Sequence, residues 1–413
     1  MAQPSFLHSR WVIAAAGVLM QVALGAVYAW SVFRIPLTRT FGWTISEVTL
    51  TFTIAIFVLG LAAFGGGLWM RRSGPRIVAL TAGVLYGLGV FLASFAGGHL
   101  WWLYCSYGLI AGVGLGLGYI VPVATLVKWF PDKRGLITGL AVAGFGAGAL
   151  ITAPIATRLV ASVGVLQTFA ILGAAYFVAV TSGALFMRNP PDGYQPEGWT
   201  PAARRADGRS DSYTLGEAMR SWQWYGLWGL LFLNTTAGIA VISQAAPMFQ
   251  EITSISAARA ASVVGVISIA NGAGRLMWAW LSDVIGRRLV FLVMFLLQAI
   301  AFWLLPSAHG LNAFAALAVL VLLCYGGGFG TMPAFAADYF GAEHVGSIYG
   351  LMLTAWGVAG VLGPTLMARL REQSGHYDQG LRWIAGLMLV SAAIPLLVRP
   401  PTRHRSGRGG HKD

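Results

Sequence analysis

The sequence of 413 residues has few charged residues, few acids and almost no cysteine. Only 10% of the residues are charged, whereas 57% are hydrophobic; an ordinary soluble domain has about 25% charged residues. This number of charged residues is too small to cover the surface of a soluble fold of this length. The composition therefore excludes a soluble protein and indicates one embedded in a membrane. Cys105 and Cys324 both lie inside apolar runs, which argues against a disulfide framework and against a metal site.

Twelve apolar runs are each long enough, at about 20 residues, to cross a bilayer as a helix. Spans 1 to 6 are predicted at 11–33, 48–70, 77–97, 101–127, 136–160 and 165–187. Spans 7 to 12 are predicted at 222–245, 260–282, 289–308, 312–337, 346–368 and 382–398. The fold class predicted is therefore an all-α membrane protein, with twelve transmembrane helices in two six-helix bundles at 1–187 and 222–413. A polar linker, 188–221, joins them, and a short basic tail follows Pro400.

The distribution of positive charge predicts the orientation. If both termini and the linker are cytoplasmic, that side holds nineteen Lys and Arg residues and the other side holds seven. This is the bias expected of an inner or plasma membrane protein. Orientation, together with contact with anionic lipid, also explains the formal net charge of +13 without any nucleic-acid partner.

The two halves repeat each other. LWMRRSGPR at 68–76, after span 2, matches WLSDVIGRR at 280–288, after span 8, while GLITGL at 135–140 matches GSIYGL at 346–351. A parallel repeat predicts two similar bundles that face each other, with a transport site between them near the membrane midplane. The 54 glycines fit helices that pack closely through small residues.

Span 8 carries a charge inside the membrane. Arg275 lies eight residues before Asp283, about 12 Å along a helix, and Asn271 shares its face. An arginine at the bilayer centre costs at least about 2.5–3.5 kcal/mol, yet no carboxylate lies well inside any span, and Asp338 only approaches the end of span 10. A guanidinium without a fixed anion is suited to receiving a carboxylate from outside the protein. The alternatives are that Arg275 extends to the headgroups or pairs with Asp338 as a structural bridge.

These motifs, with YAWSVF at 28–33 and GLAVAGFGAG at 139–148, resemble the major facilitator superfamily over almost the whole chain. Within it they are similar to the bacterial oxalate/formate exchangers and their monocarboxylate-transporter relatives. The resemblance implies a carrier of the bacterial inner membrane that works by alternating access. No cofactor or metal is expected, and a monomer is expected because such a fold needs no partner to bury its core. An enzyme is disfavoured because no acid–base pair lies inside the spans; a ligand-binding sensor with this fold stays open.

The resemblance also implies which residues line the cavity. Tyr28 and Trp30 on span 1, Tyr119 on span 4 and Tyr325 on span 10 lie on cavity-lining helices of the superfamily. A tyrosine hydroxyl can hydrogen-bond a carboxylate and its ring can contact a short aliphatic chain. The alternative for each residue is an ordinary packed aromatic side chain.

Trp356 and Asn271 bear on the substrate and on proton coupling. The oxalate exchangers are expected to have a lysine on span 11 where this chain has Trp356, so one fixed cation favours a small monocarboxylate: lactate or pyruvate, with formate or acetate possible. Animal monocarboxylate carriers are expected to have an aspartate at the position of Asn271. The resemblance to these carriers favours proton symport, but Asn271 cannot take up or release a proton. The alternative is an exchanger of the oxalate/formate type.

Asp283, Arg287 and Arg288 match the superfamily's loop motif after span 8. An anion at this position can interact with a helix N-terminus and with basic neighbours, which predicts a gate on the cytoplasmic side. In the first half Arg71 takes the place of the acid, so the two halves are not expected to close in the same way. The alternative is a plain topology signal of positive loops.

Overall fold

The computed structural model describes residues 9–196, 198–199, 212–254 and 257–401. The basic tail beyond residue 401 and the linker arginines Arg204, Arg205 and Arg209 lie outside the described residues. The predicted division into bundles at 1–187 and 222–413 stays a prediction. Below, "first half" means spans 1 to 6 and "second half" means spans 7 to 12.

All twelve predicted spans are helical. The helices of the first half are Arg10–Gly25, Trp30–Phe41, Ile45–Leu92, Leu100–Leu103, Gly112–Trp129, Arg134–Val163 and Val165–Ala184. A 3-10 turn, Ala26–Ala29, divides span 1, and a π-helical stretch, Tyr104–Ala111, divides span 4. After a short helix, Leu215–Met219, the helices of the second half are Trp222–Thr253, Ala257–Ile285, Arg287–Leu304, Leu311–Phe340, Val345–Met352, Thr354–Ser374, Asp378–Ser391 and Ala393–Leu397.

The repeated loop motif makes the same kind of turn in both halves. Ile45–Leu92 contains spans 2 and 3, which meet at Gly74 with φ 74° and ψ 168°. Gly286, at the matching position between spans 8 and 9, has φ 90° and ψ 148°. Residues with a Cβ avoid this region of backbone space, so the glycine of each motif fixes where one span ends and the next begins.

Spans 8 and 10 pack backbone to backbone. A Cβ added at Gly330 would lie 2.0 Å from the carbonyl oxygen of Arg275, and one at Gly326 would lie 2.0 Å from that of Asn271. Only glycine allows so close an approach. Span 10 therefore fixes the position of the middle of span 8, where Arg275 is located.

The second pair of repeats forms the contacts between the two halves. A Cβ at Gly135, at the start of span 5, would lie 2.2 Å from the carbonyl oxygen of Ala279 on span 8. At a second contact between the halves, a Cβ at Gly67 on span 2 would lie 2.1 Å from the carbonyl oxygen of Gly346, at the start of span 11. The halves thus touch closely at one end of the bundle, which we call the Asp283 end.

Candidate functional site

Arg275 is completely buried between the halves, with 0% of its surface exposed. Its Nη1 donates a hydrogen bond to the carbonyl oxygen of Val142 on span 5, at 3.2 Å. Within the described part of the chain, Nε and Nη2 have no hydrogen-bond partner. Asp338 pairs instead with Arg134 and Arg287, so the bridge between Arg275 and Asp338 is not formed, and the guanidinium does not reach the surface.

Aromatic rings surround the guanidinium. Its central carbon lies 5.3 Å from the ring centre of Phe329 and 5.9 Å from that of Phe145, within the range of cation–π attraction. Trp356 packs on both rings, at 4.9 Å from Phe329 and 6.2 Å from Phe145. The apolar walls strengthen the electrostatic interactions of any anion that enters, because the local dielectric is low.

Two of the predicted tyrosines join this cluster. Tyr28 lies 5.3 Å from Phe145 and 6.3 Å from Trp356, and Tyr119 lies 5.2 Å and 6.1 Å from the same two rings. The Tyr28 hydroxyl is beside the Arg275 guanidinium, but not in hydrogen-bonding geometry with it. The structure thus brings Arg275, Tyr28, Tyr119 and Trp356 together.

Three residues of the cluster were not predicted from the sequence. Phe329 and Phe145 hold the guanidinium as described, and Tyr349 on span 11 places its buried hydroxyl beside that of Tyr119, without hydrogen-bonding geometry. The sequence did contain signals: Phe329 follows Tyr325 by one helical turn, Phe145 lies in the GLAVAGFGAG motif, and Tyr349 aligns with Thr138 in the repeat.

Tyr325 and Asn271 lie at the edge of the cluster. The Tyr325 ring contacts Phe329 at 5.4 Å and packs tightly on Gly238 of span 7. Asn271 lies one helical turn before Arg275. The side-chain oxygen of Asn271 lies against Gly326 and has no hydrogen-bond partner among the described residues.

Polar side chains of spans 7 and 9 form a hydrogen-bond network with the backbone of Tyr325. Asn234 of span 7 donates to the Tyr325 carbonyl at 3.0 Å, and Gln298 of span 9 donates to the Asn234 side chain at 2.9 Å. Trp30, in contrast, does not face Arg275. It packs inside the first half against Tyr107 at 4.5 Å and Phe169 at 6.2 Å, so the structure places it away from the candidate site.

The Asp283 end is closed by charged groups. Asp283 accepts hydrogen bonds from the backbone amides of Gly135 at 2.9 Å and Leu136 at 2.8 Å, the first turn of span 5. Arg287 pairs with Asp283 at 2.7 Å and with Asp338 at 2.8 Å, and Arg134 of the first half pairs with Asp338 at 2.9 Å. An anion at a helix N-terminus with a basic neighbour is a stable arrangement, and here it connects the two halves.

Arg288 takes no part in this network. Its side chain donates to the carbonyl oxygens of Pro395, at 2.7 Å, and Leu396, at 2.5 Å, which end span 12 in the same half. This differs from the sequence expectation, which grouped Arg288 with Asp283 and Arg287. The reason is helical geometry: adjacent residues on a helix project about 100° apart, so Arg287 and Arg288 cannot face the same partner.

Almost the whole chain matches a known family. A family model described as the Major Facilitator Superfamily matches residues 11–243 and 227–412. The crystal structure of the Escherichia coli fucose:proton symporter FucP has a similar fold, with a TM-score of 0.73 at 15% identity over 95% of this chain and 99% of that one. This likeness establishes the fold.

Three relatives are similar in sequence over most of their length. An uncharacterized MFS-type transporter, YhjX of E. coli K12, is 30% identical over 87% of this chain and 88% of its own. The oxalate:formate antiporter of Oxalobacter formigenes is 27% identical over 95% and 94%, and human monocarboxylate transporter 11 is 26% identical over 93% and 82%.

Proposed function

This chain belongs to the major facilitator superfamily, as a multi-pass membrane transporter with twelve helices, and from that premise we propose that it carries small monocarboxylate anions of the lactate and pyruvate class by alternating access. Arg275 holds the carboxylate. Tyr28, Tyr119 and Tyr349 supply hydroxyl donors, and Asn271 and Tyr325 bound the site at its edge.

One observation carries the proposal: the guanidinium of Arg275 is fully buried between the halves and leaves two N–H-bearing nitrogens unpaired in the described structure. A buried donor without a partner costs free energy, more so when it is charged. A bound carboxylate would satisfy it with two parallel hydrogen bonds. The nearby tyrosine hydroxyls add donors, so the site favours a ligand rich in acceptor oxygens.

The walls of the site support a short, singly charged substrate. Arg275 is the one cation of the described cluster, and Phe145, Phe329 and Trp356 provide apolar surface for a one- or two-carbon tail. The similarity to an oxalate:formate antiporter and to a monocarboxylate transporter supports an organic anion. Trp356, where the oxalate exchangers are expected to have a lysine, supports a monoanion over a dianion.

The second part of the proposal concerns whether transport is coupled to protons. The resemblance to monocarboxylate carriers supports symport, with the proton moving on the substrate carboxyl or through Asp338. A specific observation favours the second candidate, anion exchange: the described side chains around Arg275 are tyrosines, phenylalanines, a tryptophan and an asparagine, so no carboxylate or imidazole there takes up a proton. An exchanger returns to its starting state with a second anion and needs no such group.

We further propose the orientation and the gate. The Asp283 end faces the cytoplasm of a bacterial inner membrane, as the excess of Lys and Arg on that side supports, and both termini lie on that side. Asp283 and Arg287 hold this end closed, and release of these contacts opens it. The protein functions as a monomer, with its site between its own two bundles.

Uptake into proteoliposomes tests the function. Labelled lactate or pyruvate should accumulate in empty vesicles under an inward proton gradient if the protein is a symporter, and only in vesicles preloaded with an organic acid if it is an exchanger. Arg275→Gln should reduce either flux to background, while Arg158→Gln, a matched change at an exposed arginine of span 5, should leave it unchanged. Normal transport by an Arg275→Gln protein that inserts and purifies normally would refute the proposal.

A further inference from the structure

A surface groove of about 770 Å³ follows the exposed face of span 12. It is lined by Asp378, Gln379, Arg382, Trp383, Gly386, Leu387 and Val390. Their spacing of three and four residues places them in one stripe along the helix. The stripe faces away from the protein core, since Trp383 is 64% and Val390 73% exposed.

The beginning of the stripe carries charges of both signs. Asp378 and Arg382 are one helical turn apart, and among the described residues neither takes part in an ion pair. The Arg382 guanidinium lies 5.9 Å from the ring centre of Trp303 on the neighbouring span 9. Tryptophan is enriched where a membrane meets water, so Trp303 and Trp383 place this end of the stripe at the level of the lipid headgroups.

Beyond Arg382 the stripe is apolar, and the whole stripe, from its charged beginning to Val390, is about as long as one leaflet is thick. Asp378 and Val390 are twelve residues apart, about 18 Å along the helix axis, while half of the hydrocarbon core measures about 15 Å. Gly386 leaves a notch in the middle, since a Cβ there would meet no atom within 4 Å. The notch, with Leu387 and Val390 beyond it, fits an acyl chain that runs from the headgroup level toward the midplane.

We propose that this groove binds one phospholipid of the phosphatidylethanolamine type, with its phosphate on Arg382 and its primary ammonium on Asp378. The two charges of this headgroup have opposite signs, as do those of the two side chains. An anionic headgroup such as phosphatidylglycerol would meet the Asp378 carboxylate unfavourably. A choline headgroup has no N–H to donate to that carboxylate. The site is independent of the transport function proposed above.

Native mass spectrometry of the purified protein tests the proposal. The protein is presented with equal amounts of phosphatidylethanolamine, phosphatidylcholine and phosphatidylglycerol of identical acyl chains. We expect the ethanolamine lipid to be retained about three- to fivefold over the other two, the range that one exposed ion pair provides. Asp378→Asn should remove the preference over phosphatidylcholine, and Arg382→Gln should lower the retention of all three lipids.

Matched controls separate the groove from general lipid contact. Gly386→Leu should fill the notch and lower retention, whereas Gly229→Leu, at a position on span 7 where a Cβ also meets nothing within 4 Å, should not. Equal retention of the three lipids, or variants indistinguishable from the parent, would overturn the proposal. So would a dimer cross-linked through Trp383→Cys without lipid preference, because the face would then belong to a second copy.

Discussion

The Asp283 carboxylate accepts a hydrogen bond at 2.9 Å from the backbone amide of Gly135, although the two residues belong to different halves of the chain. A second amide, that of Leu136, donates to the other carboxylate oxygen at 2.8 Å, and Arg287 pairs with the same group at 2.7 Å. One side chain therefore satisfies two of the four amides that a helix leaves unpaired at its start, and in doing so joins the halves.

Replacing Asp283 with Asn should favour the state in which this end is open. The variant keeps one acceptor oxygen but loses the charge and faces the second amide with an N–H group. Hydrogen bonds to charged groups contribute about 1.5–3 kcal/mol, and partial exposure reduces this to about 1 kcal/mol, or about a fivefold shift in population. Spin labels at Lys133 and Val284, exposed positions on the two halves, should report a longer mean distance.

Arg288→Gln is the control for that measurement. Its guanidinium binds the last carbonyls of span 12 within the second half, so its loss should leave the distance between the labels unchanged. An equal shift in both variants would show that the Asp283 contact has no specific part in closing this end.

Replacing Asn271 with Asp should make transport depend on pH. The new carboxylate would stand one turn before Arg275 and, when ionised, would compete with the substrate for the guanidinium. Such a charge-assisted contact contributes about 1.5–3 kcal/mol, so the apparent KM for lactate should be about tenfold or more higher where the new carboxylate is ionised, and should fall as the pH is lowered and the carboxylate becomes protonated. Asn271→Ala, which removes the amide without adding a charge, should show no such dependence; a pH response equal in both variants would contradict the prediction.

Replacing Trp356 with Lys should move selectivity from monoanions toward dianions. Trp356 packs on Phe329 and Phe145, the same rings that face Arg275, so a lysine there would bring a second cation toward the site. We expect competition by oxalate to appear and lactate uptake to fall. Thermal unfolding should also shift upward on addition of oxalate, because a dianion relieves the repulsion between the two cations.

Trp356→Met is the matched variant, since it removes the indole and adds no charge. It should lower lactate uptake without any gain in oxalate binding. If oxalate stabilised the methionine variant as much as the lysine variant, the charge at this position would not decide selectivity.

The closed Asp283 end should also respond to pH through His344, in the loop before span 11. Burial of the imidazole and the nearby cations Arg71 and Lys128 lower the pKa of His344 below its ordinary 6.5, against the opposite influence of Glu343 and Glu217. Because the pKa is lowered in the closed state, the open state binds the proton more tightly. Closure is therefore favoured above pH 6.5, and this advantage is lost as the pH falls through the lowered value.

Distances between the same spin labels at about pH 7.5 and about pH 5.5 test this response. The parent should shift toward the open state at the lower pH, and His344→Gln should not. His376→Gln, at the opposite end of the molecule and 76% exposed, should behave like the parent. A shift that survives in His344→Gln would assign the pH response to another group.

The fold could be predicted from the sequence because its signals are local. Span length, the loop glycines Gly74 and Gly286 and the repeated start of spans 5 and 11 each fix a nearby piece of backbone, and all twelve helices were found. Arg275 was also identifiable, because a charge within an apolar run is conspicuous and costly. These features require no knowledge of how one helix lies against another.

The surroundings of Arg275 could not be predicted in the same way, because they depend on helix rotation. Tyr28 and Trp30 are two residues apart, but Tyr28 belongs to the 3-10 turn Ala26–Ala29 and Trp30 begins the next helix. Tyr28 accordingly reaches Arg275 while Trp30 packs inside its own half. Phe145 and Phe329 look like ordinary apolar residues until the packing of spans 5 and 10 on span 8 is known.

Span 8 carries both Arg275 and Asp283 on one continuous helix, Ala257–Ile285. The eight residues between them correspond to about 12 Å of rigid rod, so any tilt of the helix displaces the buried guanidinium and the carboxylate together. An environment-sensitive dye attached at Val284, 67% exposed beside Asp283, would then change its emission when an anion occupies the distant pocket. With the substrate class proposed above, the protein would serve as a scaffold for an optical sensor of organic acids, with the dye outside the pocket where the ligand binds.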